Sequence, residues 1–402
     1  MRRIRRAEVC RGILVCFESV SLTNMEGRLK VKMKNFTRIK SAKSAKKIFS
    51  KRVLCLMAVM LICTAALTGC SFNRSNKNDE AQNKNSIQDN GTTQQNVTDE
   101  NYVKQDITIA ALKGPTAIGM VEVMENAQNG KAGNNYTFKI SGTADEFTAA
   151  LIKGDIQMAA LPCNAAATLY NKSGGKIKVM GVNTLGVLYI LDTNGSIQSV
   201  NDLKGKTIYS TGKGTTPEYT LRYLLKSAGI DPDRDVTIEF KSEASEVAAL
   251  LASGGSDMVA MLPQPYVTTV MSRNSNVRIA LDVTKEWEKL TNNQSTVVTG
   301  VIAVNSEFAD KNPEAVKRFM QEYRKSAEFV NSDVKQAAAL VEKFGIFNSD
   351  IAEKAIPYCN ITLLEGNEMK DKISAYLKVL YDENPASIGQ EMPKDDFYLM
   401  LQ

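Results

Sequence analysis

From residue 106 onward the chain alternates short apolar runs with stretches of helical period, and few folds accept that pattern. Strands are expected at 107–112, 137–140, 156–161 and 178–182, with helices between them at 116–129, 146–153 and 164–172. A strand at 187–191 leads out of this set. A second set follows, with strands at 207–210, 236–240, 258–261 and 277–281 and helices at 217–228, 245–253 and 266–273. A strand at 297–304 then returns toward the first set, and the chain is expected to be mostly helical from Pro313 to the end. Strand and helix in alternation read as βαβ units, hence an α/β fold. A chain of this length suits two lobes better than one core.

An internal echo supports two lobes of like construction. Glu146 to Asp155 is an Ala/Leu-rich helix that stops at Gly154 and leads into Met158-Ala159-Ala160-Leu161-Pro162. About a hundred residues later, Glu246 to Gly255 leads in the same way into Met258-Val259-Ala260-Met261-Leu262-Pro263. In each, a glycine relieves the left-handed helix cap and a buried strand ends at proline.

Ahead of these lobes the composition is of another kind. A basic segment at 43–52 precedes fifteen apolar or small residues, 53–67, too few for a comfortable bilayer span but fitting a secretory leader. The run closes at Leu67-Thr68-Gly69-Cys70, which resembles the lipobox of bacterial lipoproteins and implies that Cys70 is acylated and becomes the N-terminus. Such a leader begins close to its basic segment, so Met25 or Met33 is a more ordinary start than Met1. Residues 71–104 are rich in Asn, Gln, Asp, Ser and Thr and read as a disordered tether.

Charge changes sign at this boundary. The whole chain has 50 Lys plus Arg and 44 Asp plus Glu, of which 16 and 3 fall before Cys70, leaving 34 basic against 41 acidic side chains. The exported part is therefore mildly acidic, and nucleic-acid binding has no electrostatic support. With no histidine in the sequence, His-based zinc sites, triads and general bases are excluded. Beyond Cys70 two cysteines remain, Cys163 and Cys359. They form no metal spacing and no Cys-x-x-Cys, and whether they pair is open.

Open α/β sheets bind ligands beyond the carboxyl ends of their strands, where helix N-termini offer free N–H groups. Four strand ends have the polar, Gly/Pro-shaped sequences this requires: Lys113-Gly114-Pro115-Thr116, Pro162-Cys163-Asn164, Thr211-Gly212-Lys213-Gly214-Thr215-Thr216-Pro217-Glu218, and Pro263-Gln264-Pro265-Tyr266. The expected ligand contacts are Thr116 and Asn164 from the first lobe, facing Thr215, Thr216 and Gln264 from the second, with Lys113 adding positive charge. Thr215 with Glu218 also fits a capping box. Gly205-Lys206-Thr207 is not a phosphate loop, because Val200 stands where the leading glycine belongs. Trp287 reads as a packing residue between lobes or at the surface.

The lipobox, the tether, the element around Lys113 to Met120, Gly154-Asp155-Ile156-Gln157-Met158-Ala159, Asp202-Leu203-Lys204-Gly205-Lys206 and Leu262-Pro263-Gln264-Pro265 together resemble the substrate-binding lipoproteins of ABC importers. The branch most resembled covers nitrate, alkanesulfonate, taurine and thiamine-pyrimidine uptake. The resemblance implies a type II periplasmic-binding-protein fold, α/β and two-lobed, with crossings near 191–195 and 298–303. The expected organisation is a leader at 1–69, lipidated Cys70 with its tether to 104, the first lobe at 105–192, the second at 193–299, and a return to the first at 300–402. The expected function is capture of a small polar or anionic organic nutrient outside the cytoplasm by a membrane-anchored monomer that passes it to an ABC permease. No reaction, cofactor or metal is expected. An extracytoplasmic sensor lipoprotein is one alternative. Another is an enzyme on the same fold, which the missing histidine disfavours because the thiamine-pyrimidine synthases that resemble these binders depend on one.

Overall fold

A computed structural model describes residues 102–401. The leader, Cys70 and nearly all of the tether lie outside the described residues. Two sheets organise the rest. The first has six strands in the order β11-β4-β10-β3-β1-β2, where β1 is Asp106–Leu112, β2 Asn135–Ser141, β3 Met158–Pro162, β4 Ile177–Thr184, β10 Gly300–Asn305 and β11 Ile361–Leu364. The second has five in the order β7-β6-β8-β5-β9, where β5 is Leu188–Asp192, β6 Thr207–Ser210, β7 Thr237–Phe240, β8 Val259–Pro263 and β9 Arg278–Asp282.

The two sheets share one plan. In each, three neighbouring strands run parallel, β2-β1-β3 in the first and β7-β6-β8 in the second. Beside them lies one antiparallel strand, β10 or β5, that arrives directly from the other lobe. Parallel strands need helical crossovers, and these helices are what the alternating sequence encodes.

Both faces of each sheet are covered, so the strands read as continuous apolar runs. On one face of the first sheet, Ile107, Ile109, Met158, Ile302 and Val304 pack under α2 (Val121–Gln128), α10 (Pro313–Ser332), α11 (Val334–Lys343) and α12 (Ser349–Ala355). On the other, Ala110, Ala159, Leu161, Val179 and Val301 pack under α3 (Asp145–Lys153), α4 (Cys163–Ser173) and α13 (Gly366–Glu383). In the second sheet Ile190, Ile208 and Met261 meet α5 (Thr216–Ser227), while Leu191, Ala260 and Leu262 meet α6 (Ala244–Ala252) and α7 (Tyr266–Arg273). Burial of each large side chain contributes about 1.5–3 kcal/mol.

Several expectations need correction. The strand expected at 187–191 belongs wholly to the second sheet, so the first crossing is at 185–187 rather than near 191–195. The C-terminal region is mostly helical, as expected, with one strand the sequence did not reveal, β11, which pairs antiparallel with β4 through Ile361 and Thr184. The helix expected at 116–129 is two helices, α1 (Pro115–Ile118) and α2, interrupted at Gly119. A Cβ there would lie 2.5 Å from the Tyr323 hydroxyl, so the backbone approaches α10 more closely than any side chain allows. Cys163 and Cys359 are free thiols buried on opposite faces of the first sheet, which keeps them from pairing. Burial pushes both thiols above the usual range.

Trp287, on α8 (Val283–Leu290), is fully buried between Tyr223 of α5 and Tyr376 of α13, with ring centroids 4.6 and 5.2 Å away. Its indole N–H donates to Ser295 Oγ at 3.1 Å. It joins the lobes, one of the two packing places the sequence allows. Among the described residues no helix is long and apolar enough to cross a membrane.

Candidate functional site

The carboxyl ends of β1, β3 and β8 and the loop after β6 open on one cavity of about 440 Å³. Lys113, Thr116 and Thr143 line it from the first lobe, and Lys213, Thr215, Thr216, Lys241 and Tyr266 from the second. Leu112, Pro162, Val187, Leu188 and Pro263 supply apolar wall. The first turns of α3, α5 and α6 are also part of the lining, so three helix N-termini contribute partial positive charge.

Four of the six expected contacts therefore face the cavity: Lys113, Thr116, Thr215 and Thr216. All three of their hydroxyls are already engaged, Thr116 Oγ1 donating to the Leu112 carbonyl at 2.8 Å, Thr215 Oγ1 to the Gly212 carbonyl at 2.7 Å and Thr216 Oγ1 to Asn164 Oδ1 at 3.2 Å. The expected capping box does not form. Thr215 is the N-cap, but its hydroxyl accepts no bond from the helix, and Glu218 reaches back to the Gly214 N–H at 2.7 Å while pairing with Arg222 at 2.9 Å.

Asn164 and Gln264 are not among the lining residues. The Asn164 side chain is fully buried and donates to the Ser387 carbonyl at 2.9 Å and more weakly to the Gly214 carbonyl at 3.4 Å, while accepting from Thr216 Oγ1 at 3.2 Å. Gln264 Oε1 accepts from the Thr268 amide and hydroxyl, at 3.2 and 2.8 Å, and so caps α7. Asn164 thus spends both ends of its amide inside the protein, and Gln264 spends its carbonyl oxygen there.

Sequence reasoning missed Lys213 and Lys241 as charges, Asp145 and Glu243 as acidic lining, and Thr184 and Thr299 on the floor. Lys213 lies within a motif that was singled out, and two adjacent polar residues, Asn183 and Thr184, directly after an apolar strand were a usable signal. Lys241 pairs with Glu239 at 3.2 Å. Lys113 and Lys213 are exposed, and among the described residues neither makes an ion pair. Lys113 Nζ lies 5.9 Å from the centroid of Phe347. Among the described residues no group of three or more Cys, Asp or Glu is placed to hold a metal.

Residues 123–347 match the family model described as ABC transporter, phosphonate, periplasmic substrate-binding protein. Binding proteins of Brucella abortus, Brucella suis and Brucella melitensis are 27% identical over 207 residues, 50% of this chain and 62% of theirs. The match thus spans under two thirds of the curated relatives' length. An ABC transporter structure from Parabacteroides distasonis is 26% identical with a TM-score of 0.61, covering 74% of this chain and 99% of that one. The aliphatic sulphonate binding protein SsuA of Escherichia coli shares the fold at 18% identity and a TM-score of 0.58, over 75% of this chain and 94% of its own. So does the nitrate-binding protein NrtA of Synechocystis, at 11% identity and 0.52, over 73% and 87%. Two like-built lobes around a cavity at their strand ends, together with a family match across more than half of its length, make this chain a member of the periplasmic substrate-binding proteins of ABC transporters, in the phosphonate-binding family.

Proposed function

We propose that the protein captures a small organic anion outside the cytoplasm and presents it to an ABC permease. The observation that carries this is the pair Lys113 and Lys213, cations without ion-pair partners among the described residues, on opposite lobes of one cavity. Helix N-termini add to the same field. The cavity, about 440 Å³ with apolar wall, suits an anion carrying a carbon skeleton better than bare nitrate. An organic phosphonate or sulfonate fits these features. No reaction is assigned to the site.

Calorimetry and thermal melting with ethylphosphonate, ethanesulfonate and nitrate test the reading. One of the two organic anions should bind, and at 100 times its dissociation constant should stabilise the protein by about 2.7 kcal/mol. Replacing Lys113 or Lys213 with Met should weaken that binding roughly three- to ten-fold, and less so in high salt. If none of the three anions produces heat or a melting shift, the reading fails.

The working protein is a monomer held at the membrane by acyl chains on Cys70, two or more being needed for stable anchoring. Fatty-acid labelling of cells should mark the parent and not Cys70→Ser. Equal labelling of both would remove the anchor from the proposal.

A further inference from the structure

Both crossings between the lobes pass the floor of the cavity, and several side-chain polar atoms there have no hydrogen-bond partner among the described residues. Thr184 ends β4, Thr299 precedes β10, and the Thr299 amide donates to the Thr184 carbonyl at 3.1 Å. Both residues line the cavity, with each Oγ1 turned away from solvent and a rotation about χ1 away from presenting it. Thr184 is fully buried, and among the described residues neither its Oγ1 nor that of Thr299 has a hydrogen-bond partner. The unused polarity extends one residue deeper, to Asn183, fully buried with neither Oδ1 nor Nδ2 engaged. Only glycine fits beside it, since a Cβ on Gly300 would lie 2.6 Å from Asn183 Oδ1.

Buried polar side-chain atoms are nearly always paired, so four orphaned atoms in one cluster require an explanation. A general shortage of partners does not provide it, because Thr116 and Thr215 in the same cavity bond to backbone carbonyls.

We propose that Thr184 and Thr299 hold the anionic head of the ligand, each hydroxyl donating to one of its oxygens. This deepens, and rests on, the organic-anion reading. Adjacent strands lie about 4.8 Å apart, a spacing from which two hydroxyls converge on two oxygens of one phosphonate or sulfonate group. The carbon skeleton then lies along the apolar wall toward Pro263. Because the two threonines stand at the two crossings, a head held by both fixes the crossing segments relative to each other and couples occupancy to lobe closure.

The test uses Thr184→Val, Thr299→Val and Thr184→Ser, titrated calorimetrically with ethylphosphonate and ethanesulfonate. Valine keeps the branched shape and removes a hydroxyl that has no protein partner. Each valine variant should bind roughly five- to ten-fold more weakly than the parent, with the ligand-free melting temperature nearly unchanged, and Thr184→Ser should stay within about three-fold of the parent. Valine variants that bind as tightly as the parent overturn this inference and leave the organic-anion reading standing. So do variants that fail to fold while Thr184→Ser binds no better than they do, since the hydroxyls would then be structural. A parent that binds neither probe overturns the reading itself, and this inference with it.

Discussion

The buried Asn164 side chain ties three segments together: α4 of the first lobe, the loop before α5 in the second, and the C-terminal stretch at Ser387. Removing it takes the nearer donor from the Ser387 carbonyl, which keeps only the Thr168 hydroxyl at 3.5 Å, and takes the acceptor from the buried Thr216 hydroxyl. An unsatisfied buried group costs about 1–3 kcal/mol, which for a protein of this size lowers melting by roughly 1.5–5 °C. Asn164→Ala should therefore lose stability in the absence of ligand, and a variant that melts with the parent would show that the interlobe bonds contribute little. Its neighbourhood was legible in the sequence, because a polar residue after Pro162 at a strand end marks the cavity rim. Its direction was not, since rotating one side-chain torsion decides whether the amide faces ligand or protein. Thr116 and Thr215, read the same way, do face the cavity.

At the scale of elements, what local periodicity encodes was readable and what long-range pairing encodes was not. The two Ala-rich helices with their following strands, α3 to β3 and α6 to β8, occupy equivalent places in the two sheets, as the repeated Gly and Pro positions imply. Nothing local tells that β5 and β10 run antiparallel to their neighbours, or that each sheet takes its odd strand from the far side of a crossing. An apolar run such as 187–191 looks the same in either sheet. For the same reason β11 was hidden: four residues, Ile361 to Leu364, between two helical stretches become a strand through the neighbouring β4. The missing capping box has a related cause. Glu218 is claimed by Arg222 one turn on and by the Gly214 amide, so the carboxylate bypasses the N-cap that its spacing suggested.

For the molecule as a whole, the lobes also meet at the mouth of the cavity, away from the crossings. Tyr266 of α7 stands edge-on to Phe347, which lies between α11 and α12, with ring centroids 5.0 Å apart and planes at 77°. Burial, with a smaller contribution from the charge of Glu243, pushes the Tyr266 phenol up to about 12, so at neutral pH the pair is uncharged and its contact is indifferent to modest pH change. An aromatic pair of this geometry contributes about 0.5–1.5 kcal/mol beyond its buried area. We predict that the lobes part to release ligand; a contact that spans them is then lost on opening, so its energy favours the closed, ligand-holding state and should appear in the rate of release. X-ray scattering of the parent should give a smaller radius of gyration with a binding anion than without it. Phe347→Ala should release that anion roughly two- to ten-fold faster, with association little changed. Release at the parental rate, or a radius unchanged at saturation, would mean that the two rings meet without closing anything.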